Sequence, residues 1–232
     1  DCQSGVCSGG ICQAPTCSDA VQNQDETDVD CGGSCGATCE IGESCSVNGD
    51  CVSGNCDGGT CASLSTDYVG RWKAKDTNLT DSANRFYFDL DNRGASGLDL
   101  SRVTLRYWFT KEGSSSYVVD CTDAYWDGVI QCGELESSIV SLGAARTCGG
   151  GSTCADHYME FSFNTSETLA AGASMGWVYL VCHDDDWVSV DDSNDYSWDN
   201  DGVSPSPTTW RDWDRLTVYV DDALVWGTEP AP

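Results

Sequence analysis

Every aromatic and every basic residue of this chain lies beyond residue 63, whereas 11 of its 16 cysteines lie before it. A stretch of that length without Phe, Tyr or Trp cannot bury enough apolar surface to offset its chain entropy. Disulfides are the substitute, because cross-links restrict the unfolded chain rather than fill a core. Residues 64–232 carry all nine Trp, nine Tyr and five Phe and can build an ordinary core. The sequence therefore predicts two domains, residues 1–63 and 64–232. So many cysteines beside only two histidines place the chain in an oxidising compartment, secreted and extracellular or at the cell surface. Eleven Lys and Arg against 38 Asp and Glu give a formal charge of −27, which argues against nucleic acid as a partner. No apolar run reaches the length of a membrane span, so membrane insertion is not expected.

The cysteine-rich part repeats itself. Asp1-Cys2-Gln3-Ser4-Gly5-Val6-Cys7-Ser8-Gly9-Gly10-Ile11-Cys12 matches Asp50-Cys51-Val52-Ser53-Gly54-Asn55-Cys56-Asp57-Gly58-Gly59-Thr60-Cys61. Residues 17–61 then form one complete repeat, with Cys17, Cys31, Cys35, Cys39, Cys45, Cys51, Cys56 and Cys61 available for disulfides. Residues 1–16 read as the tail of an earlier repeat, which predicts a processed or truncated start to a longer protein. Zinc on Cys31, Cys35 and Cys39 is disfavoured by their spacing and by the absence of a nearby His. Asp25, Asp28 and Asp30 admit two readings, calcium ligands or solvated loop acids. The stretch from Cys17 through Asp30 to Cys31-Gly32-Gly33 resembles a cysteine-rich repeat of surface and secreted proteins of myxobacteria and related bacteria. That resemblance implies an extracellular, non-catalytic spacer.

From residue 68 onward the pattern has period two. Phe86, Phe88 and Leu90 alternate with Arg85, Tyr87 and Asp89, and Val103, Leu105, Tyr107 and Phe109 with Thr104, Arg106 and Trp108. Residues 158–163, 177–181, 216–220 and 223–226 continue it, with Asp221-Asp222 as a two-residue hairpin turn. Many short strands without helical periodicity predict an all-β fold, a jelly-roll β-sandwich, behind the N-terminal disulfide-rich, loop-dominated small domain.

The order of these segments is similar to that of family 3 carbohydrate-binding modules. The similarity is carried by Asp76-Thr77-Asn78, residues 81–94, the run from Leu98 to Thr110, Asn194-Asp195-Tyr196-Ser197-Trp198, Trp213-Asp214-Arg215-Leu216-Thr217 and Leu224-Val225-Trp226-Gly227-Thr228-Glu229-Pro230, spanning about residues 67–230. The resemblance implies a structural calcium and, for many members, binding to crystalline cellulose. Its calcium positions fall on Thr110, Glu112, Asp191, Asn194 and Asp195. Glu112 and Asp191 depart from the family's usual Asp and Thr, yet all five offer the oxygens that calcium takes.

The implied cellulose face is altered. The family's loop Trp falls on Trp187, but Val181 stands where its Arg would be, and Thr122-Asp123 replace its Asp-His pair. Trp187, Asp123, Tyr125 and Trp126 are the candidate polysaccharide-binding residues, since flat aromatic rings stack on sugar rings.

Five further cysteines lie in this part. Cys121 and Cys132 bracket one loop and Cys148 and Cys154 another, which leaves Cys182 unmatched. The odd cysteine on each side leaves three readings open: a bridge between domains, cross-links between molecules, or a consequence of the partial first repeat. Asn78-Leu79-Thr80 and Asn164-Thr165-Ser166 are glycosylation sequons. No Gly-x-Ser-x-Gly, phosphate loop or His-Glu-x-x-His occurs, and His157 and His183 stand alone in the sequence, so no enzyme is expected. The function read from the sequence is a non-catalytic module that holds its owner to cellulose or a similar insoluble polysaccharide. The alternative is a self-assembling subunit of an extracellular fibre or matrix.

Overall fold

In the computed structural model, residues 2–63, 66–125, 127–148, 152–198 and 208–231 are described. The chain divides into two compact units, Asp1–Leu64 and Ser65–Pro232. Among the described residues no helix is long and apolar enough to cross a membrane.

The first unit is loops held by sulfur. Cys17 pairs with Cys35, Cys31 with Cys39, Cys45 with Cys56 and Cys51 with Cys61. The half-cystines Cys31, Cys39, Cys45, Cys51 and Cys61 are themselves the buried cluster. These pairings occupy the sulfurs of Cys31, Cys35 and Cys39. The repeated motif folds the same way twice, as hairpins that set Cys7 opposite Cys12 and Cys56 opposite Cys61. Gly9-Gly10 and Gly58-Gly59 turn them with φ between 57° and 84°, a left-handed pair that glycine adopts freely. The sulfur of Cys2 stands against both Cys7 and Cys12.

Asp25 is exposed and Asp28 and Asp30 are half-buried, and all three also hold loops together. Asp30 accepts from the amides of Asp19 and Ala20, Asp28 from those of Val29 and Ser44, and Asp25 from the amide and hydroxyl of Ser34.

The second unit is a sandwich of two five-stranded antiparallel sheets. Its strands are β1 (Tyr68–Ala74), β2 (Asn84–Asn92), β3 (Val103–Phe109), β4 (Tyr117–Ala124), β5 (Leu135–Thr147), β6 (Thr153–Phe163), β7 (Val178–Asp184), β8 (Arg211–Asp212), β9 (Leu216–Val220) and β10 (Ala223–Trp226). One sheet runs β4-β7-β2-β1-β8 and the other β5-β6-β3-β9-β10. Alternation decides the faces: Phe86, Phe88 and Leu90 point between the sheets with Leu105, Tyr107, Phe109 and Phe161. Phe86 stacks on Tyr107 at 4.4 Å and Phe88 on Phe161 at 5.4 Å. Burying each such side chain stabilises the fold by about 2–3 kcal/mol relative to exposing it. Asp221 and Asp222 have φ of 51° and 66°, the conformation a two-residue hairpin requires. Cys121 pairs with Cys132 and Cys148 with Cys154, while Cys182 is a free thiol buried in the core.

Candidate functional site

Strand β7 carries the candidate surface. Val178, Leu180 and Cys182 point into the core, so Tyr179, Val181 and His183 line the outer face. The chain then turns, with the Trp187 amide donating to the Asp184 carbonyl at 3.0 Å and the Val188 amide to Asp184 Oδ1 at 2.9 Å. This turn holds Trp187 at φ 52°, a conformation that costs a bulky residue about 1–2 kcal/mol. The result is an indole 50% exposed, lying on the imidazole of His183 with centroids 3.6 Å apart and planes 12° from parallel.

His183 is buried and held from both sides. Its Nδ1 lies 2.7 Å from the Asp184 carbonyl oxygen, and its Nε2 lies 3.3 Å from Asp120 Oδ2 on β4. The loop is tied further by the Ser115 hydroxyl, which donates to Asp186. An aromatic ring fixed flat and half exposed on a sheet face suits stacking on a sugar ring.

The other candidates are elsewhere on this face. Asp123 pairs with Tyr179, and its Oδ1 accepts from the Ala124 amide. Tyr125 packs against Trp177 at 6.0 Å, at the start of β7, whereas Trp187 follows its end. A strand of this length separates them by about 20 Å, so the structure does not gather them around one centre. Trp126 lies outside the described residues. His183 and Asp120, which sequence reading passed over, are the residues that support Trp187; the only available signal was a ring-bearing residue four positions before the Trp.

Of the five positions that the resemblance implies as calcium ligands, Thr110, Glu112, Asn194 and Asp195 are linked by hydrogen bonds. Val190–Asp191 pairs with Thr80–Asp81, and a single 3-10 turn, Asp192–Asn194, follows. Asp195 is buried, its Oδ1 accepting from the Thr110 amide at 2.8 Å and its Oδ2 from Asn84 Nδ2 at 2.6 Å. The Thr110 hydroxyl donates to the Asn194 carbonyl at 3.3 Å, and Asn194 Nδ2 donates to Glu112 Oε1 at 3.0 Å. Asp191 Oδ1 accepts from the amide and hydroxyl of Ser193.

Asp192 joins this group without having been singled out. It is 3% exposed, its Oδ1 has no hydrogen-bond partner, and Asn194 Oδ1 is likewise buried and unpartnered. Burial, then the negative charges of Asp81 and Asp76, push the Asp192 carboxyl up to about 9. Burial and the neighbouring Asp192 also raise Asp195 well above the usual range, and burial raises Glu112. Orphaned oxygens beside acids that resist ionisation are the local signature of a place suited to a hard cation.

The fold is thus an antiparallel β-sandwich with the Trp187 ring half exposed on one sheet. A family model described as "Cellulose binding domain" matches residues 71–227, and the chain belongs to that family. It is 33% identical over 161 residues to the "Uncharacterized protein in celA 5'region" of Paenibacillus lautus, covering 69% of this chain and 99% of that one. To Endoglucanase A of the same organism it is 34% identical over 169 residues, covering 72% of this chain but 22% of the enzyme. Among solved structures, the "CBM3a-L domain with flanking linkers from scaffoldin cipA of cellulosome of Clostridium thermocellum" superposes with a TM-score of 0.61 at 27% identity. That superposition covers 72% of this chain and 93% of the other.

Proposed function

We propose that the sandwich is a non-catalytic, extracellular module that attaches to cellulose or a similar insoluble polysaccharide, carried beside a disulfide-held spacer. The observation that carries this reading is the locked stack of Trp187 on His183, itself held by Asp120. It presents one indole face toward solvent, and because the ring is already immobilised, little side-chain entropy is lost when a sugar lies on it. Val181, at the position where the family resemblance expects an Arg, leaves that part of the strip apolar. The His183–Asp120 pair supplies a polar, hydrogen-bonded support in its place.

A structural calcium belongs to the same proposal. Thr110, Glu112, Asp191, Asn194 and Asp195 would hold it, with Asp192 as an additional acid. Bound there, it would supply positive charge that lets these buried carboxylates ionise. Depletion of the protein from solution by microcrystalline cellulose, in calcium, tests the function. The native protein is expected to be depleted and Trp187→Ala much less so. A native protein that stays in solution would rule out cellulose.

A further inference from the structure

A second feature crosses the same sheet at right angles to the line of Trp187, His183 and Val181. The strand registers place Asp123 beside Tyr179, Tyr179 beside Tyr87, and Tyr87 beside Lys73, one residue from each of β4, β7, β2 and β1. Trp210, just before β8, continues the row, its ring 5.0 Å from Lys73 Nζ and 5.4 Å from the Arg71 guanidinium. Tyr87 and Tyr179 stack on each other at 4.8 Å, and Trp177 meets Tyr87 edge-on at 5.4 Å. Tyr179 lies two strand pairs before His183, about 13 Å along β7, so the row is a surface separate from the Trp187 stack.

The cations of this row fall into two kinds. Arg71 is neutralised by Asp89 and Asp91, and Arg85 by Asp81. Lys73 and Lys75 form no ion pair among the described residues, in a chain whose net charge is −27. Both ammonium groups instead rest on aromatic rings. Lys73 Nζ lies 4.3 Å from the Tyr87 centroid, and Lys75 Nζ lies 5.0 Å from that of Tyr179 while donating to the Tyr87 hydroxyl at 3.1 Å. A lysine held over a ring is pre-positioned and partly desolvated, and keeps N–H donors for an anion. The nearest carboxylate of the row, Asp123, is three strands from Lys73, about 14 Å.

We propose that this row is a second binding site, for a polysaccharide chain that carries carboxylates. Sugar rings lie against the aromatic side chains of the row, and Lys73 and Lys75 take the acid groups by charge-assisted hydrogen bonds. Aromatic surface alone would serve any glycan; two ammonium groups without an ion pair among the described residues select an acidic one. The row shares Asp123 with the candidate polysaccharide-binding residues but does not include Trp187.

Affinity electrophoresis in native gels tests this with two soluble polymers that share a glucan backbone, carboxymethylcellulose and hydroxyethylcellulose. Retardation by the carboxymethyl polymer is expected at about one tenth the polymer concentration, the size expected from one charge-assisted hydrogen bond. Lys73→Gln with Lys75→Gln should abolish that difference, Lys73→Arg with Lys75→Arg should keep it, and Trp187→Ala should leave it intact. Depletion by insoluble cellulose should be the same for the glutamine double variant as for the native protein. Equal retardation by both polymers, or a preference that survives in the glutamine double variant, would overturn the proposal. Failure of cellulose binding would show separately, as a native protein not depleted by the insoluble substrate.

Discussion

The Trp187 indole and the His183 imidazole are stacked face to face, 3.6 Å between centroids, although Trp187 sits in a left-handed backbone conformation that its side chain disfavours. The strain persists because the surrounding contacts over-determine it: the Asp184 carbonyl, the Asp120 carboxylate and the Asp184 cap on Val188 all hold the turn. His183 is thus a positioning residue for Trp187.

Trp187→Ala removes the central stacking surface and should cost about 2 kcal/mol of binding, roughly thirtyfold in affinity for insoluble cellulose. His183→Ala leaves the indole in place but unsupported, and about tenfold is expected. Adsorption isotherms measure both, and tryptophan emission reports whether the Trp187 environment has changed in the histidine variant. Unaltered adsorption together with altered emission would show that the stack does not matter for binding.

Removing calcium with a chelator should lower the melting temperature at neutral pH, and Asp192→Asn should shrink that effect. The sign with pH follows from linkage. In the metal-free protein the folded Asp192 keeps its proton up to about 9, while in the unfolded chain it ionises near 3.8. Stability from this group is therefore fully present below the unfolded value and declines as pH rises toward 9. Calorimetry with chelator from pH 4 to 8 should show this decline, and added calcium should offset it; a melting temperature indifferent to calcium at every pH would remove the ion from the proposal.

Opposite behaviour is expected at low pH in the first unit. Hydrogen bonds from Ser34 hold Asp25 below the usual carboxylate range, and the Ser44 amide does so for Asp28. For Asp50, burial pushes the other way, but the amides of Ser46, Val47 and Gly33 outweigh it. A depressed carboxylate contributes stability above its unfolded pKa and loses it as pH falls through the folded value. Amide-exchange protection in residues 17–61, measured relative to the intrinsic rate at each pH, should fall below about pH 4. Asp50→Ala, which strips three amides of their acceptor, should cost about 2–3 kcal/mol.

The repeat also predicts a disulfide map. Cys2, Cys7 and Cys12 correspond to Cys51, Cys56 and Cys61, of which Cys51 bonds Cys61 and Cys56 bonds Cys45. By that correspondence Cys2 bonds Cys12, and the partner of Cys7 would be the counterpart of Cys45 in the preceding repeat. Peptide mass spectrometry should recover Cys2 linked to Cys12, and alkylation should label the buried Cys182 only after denaturation.

Much of the fold was legible because period-two alternation reports directly which residues face inward, as for Phe86, Phe88 and Leu90. Strands β4 and β5 were not, since both lie at sheet edges and expose residues on both faces, which erases the alternation. In the oxygen-rich loop, Thr110, Glu112, Asp191, Asn194 and Asp195 followed from a family resemblance. Asp192 did not, because among 38 acids nothing in its neighbours marks it as the buried one.

By itself the sequence determined the split into a sulfur-held unit and an aromatic-cored one, because cross-links and apolar area are properties of composition and spacing. It also determined the inward faces of the central strands. Only the tertiary structure decided that Trp187 rests on His183, that Asp120, 63 residues earlier than His183, braces it, and that Lys73 shares a row with Tyr87 and Tyr179. Alternation says which way a side chain points; which outward residues become neighbours depends on strand register and on the turn that folds over them, and both are settled by contacts between distant parts of the chain.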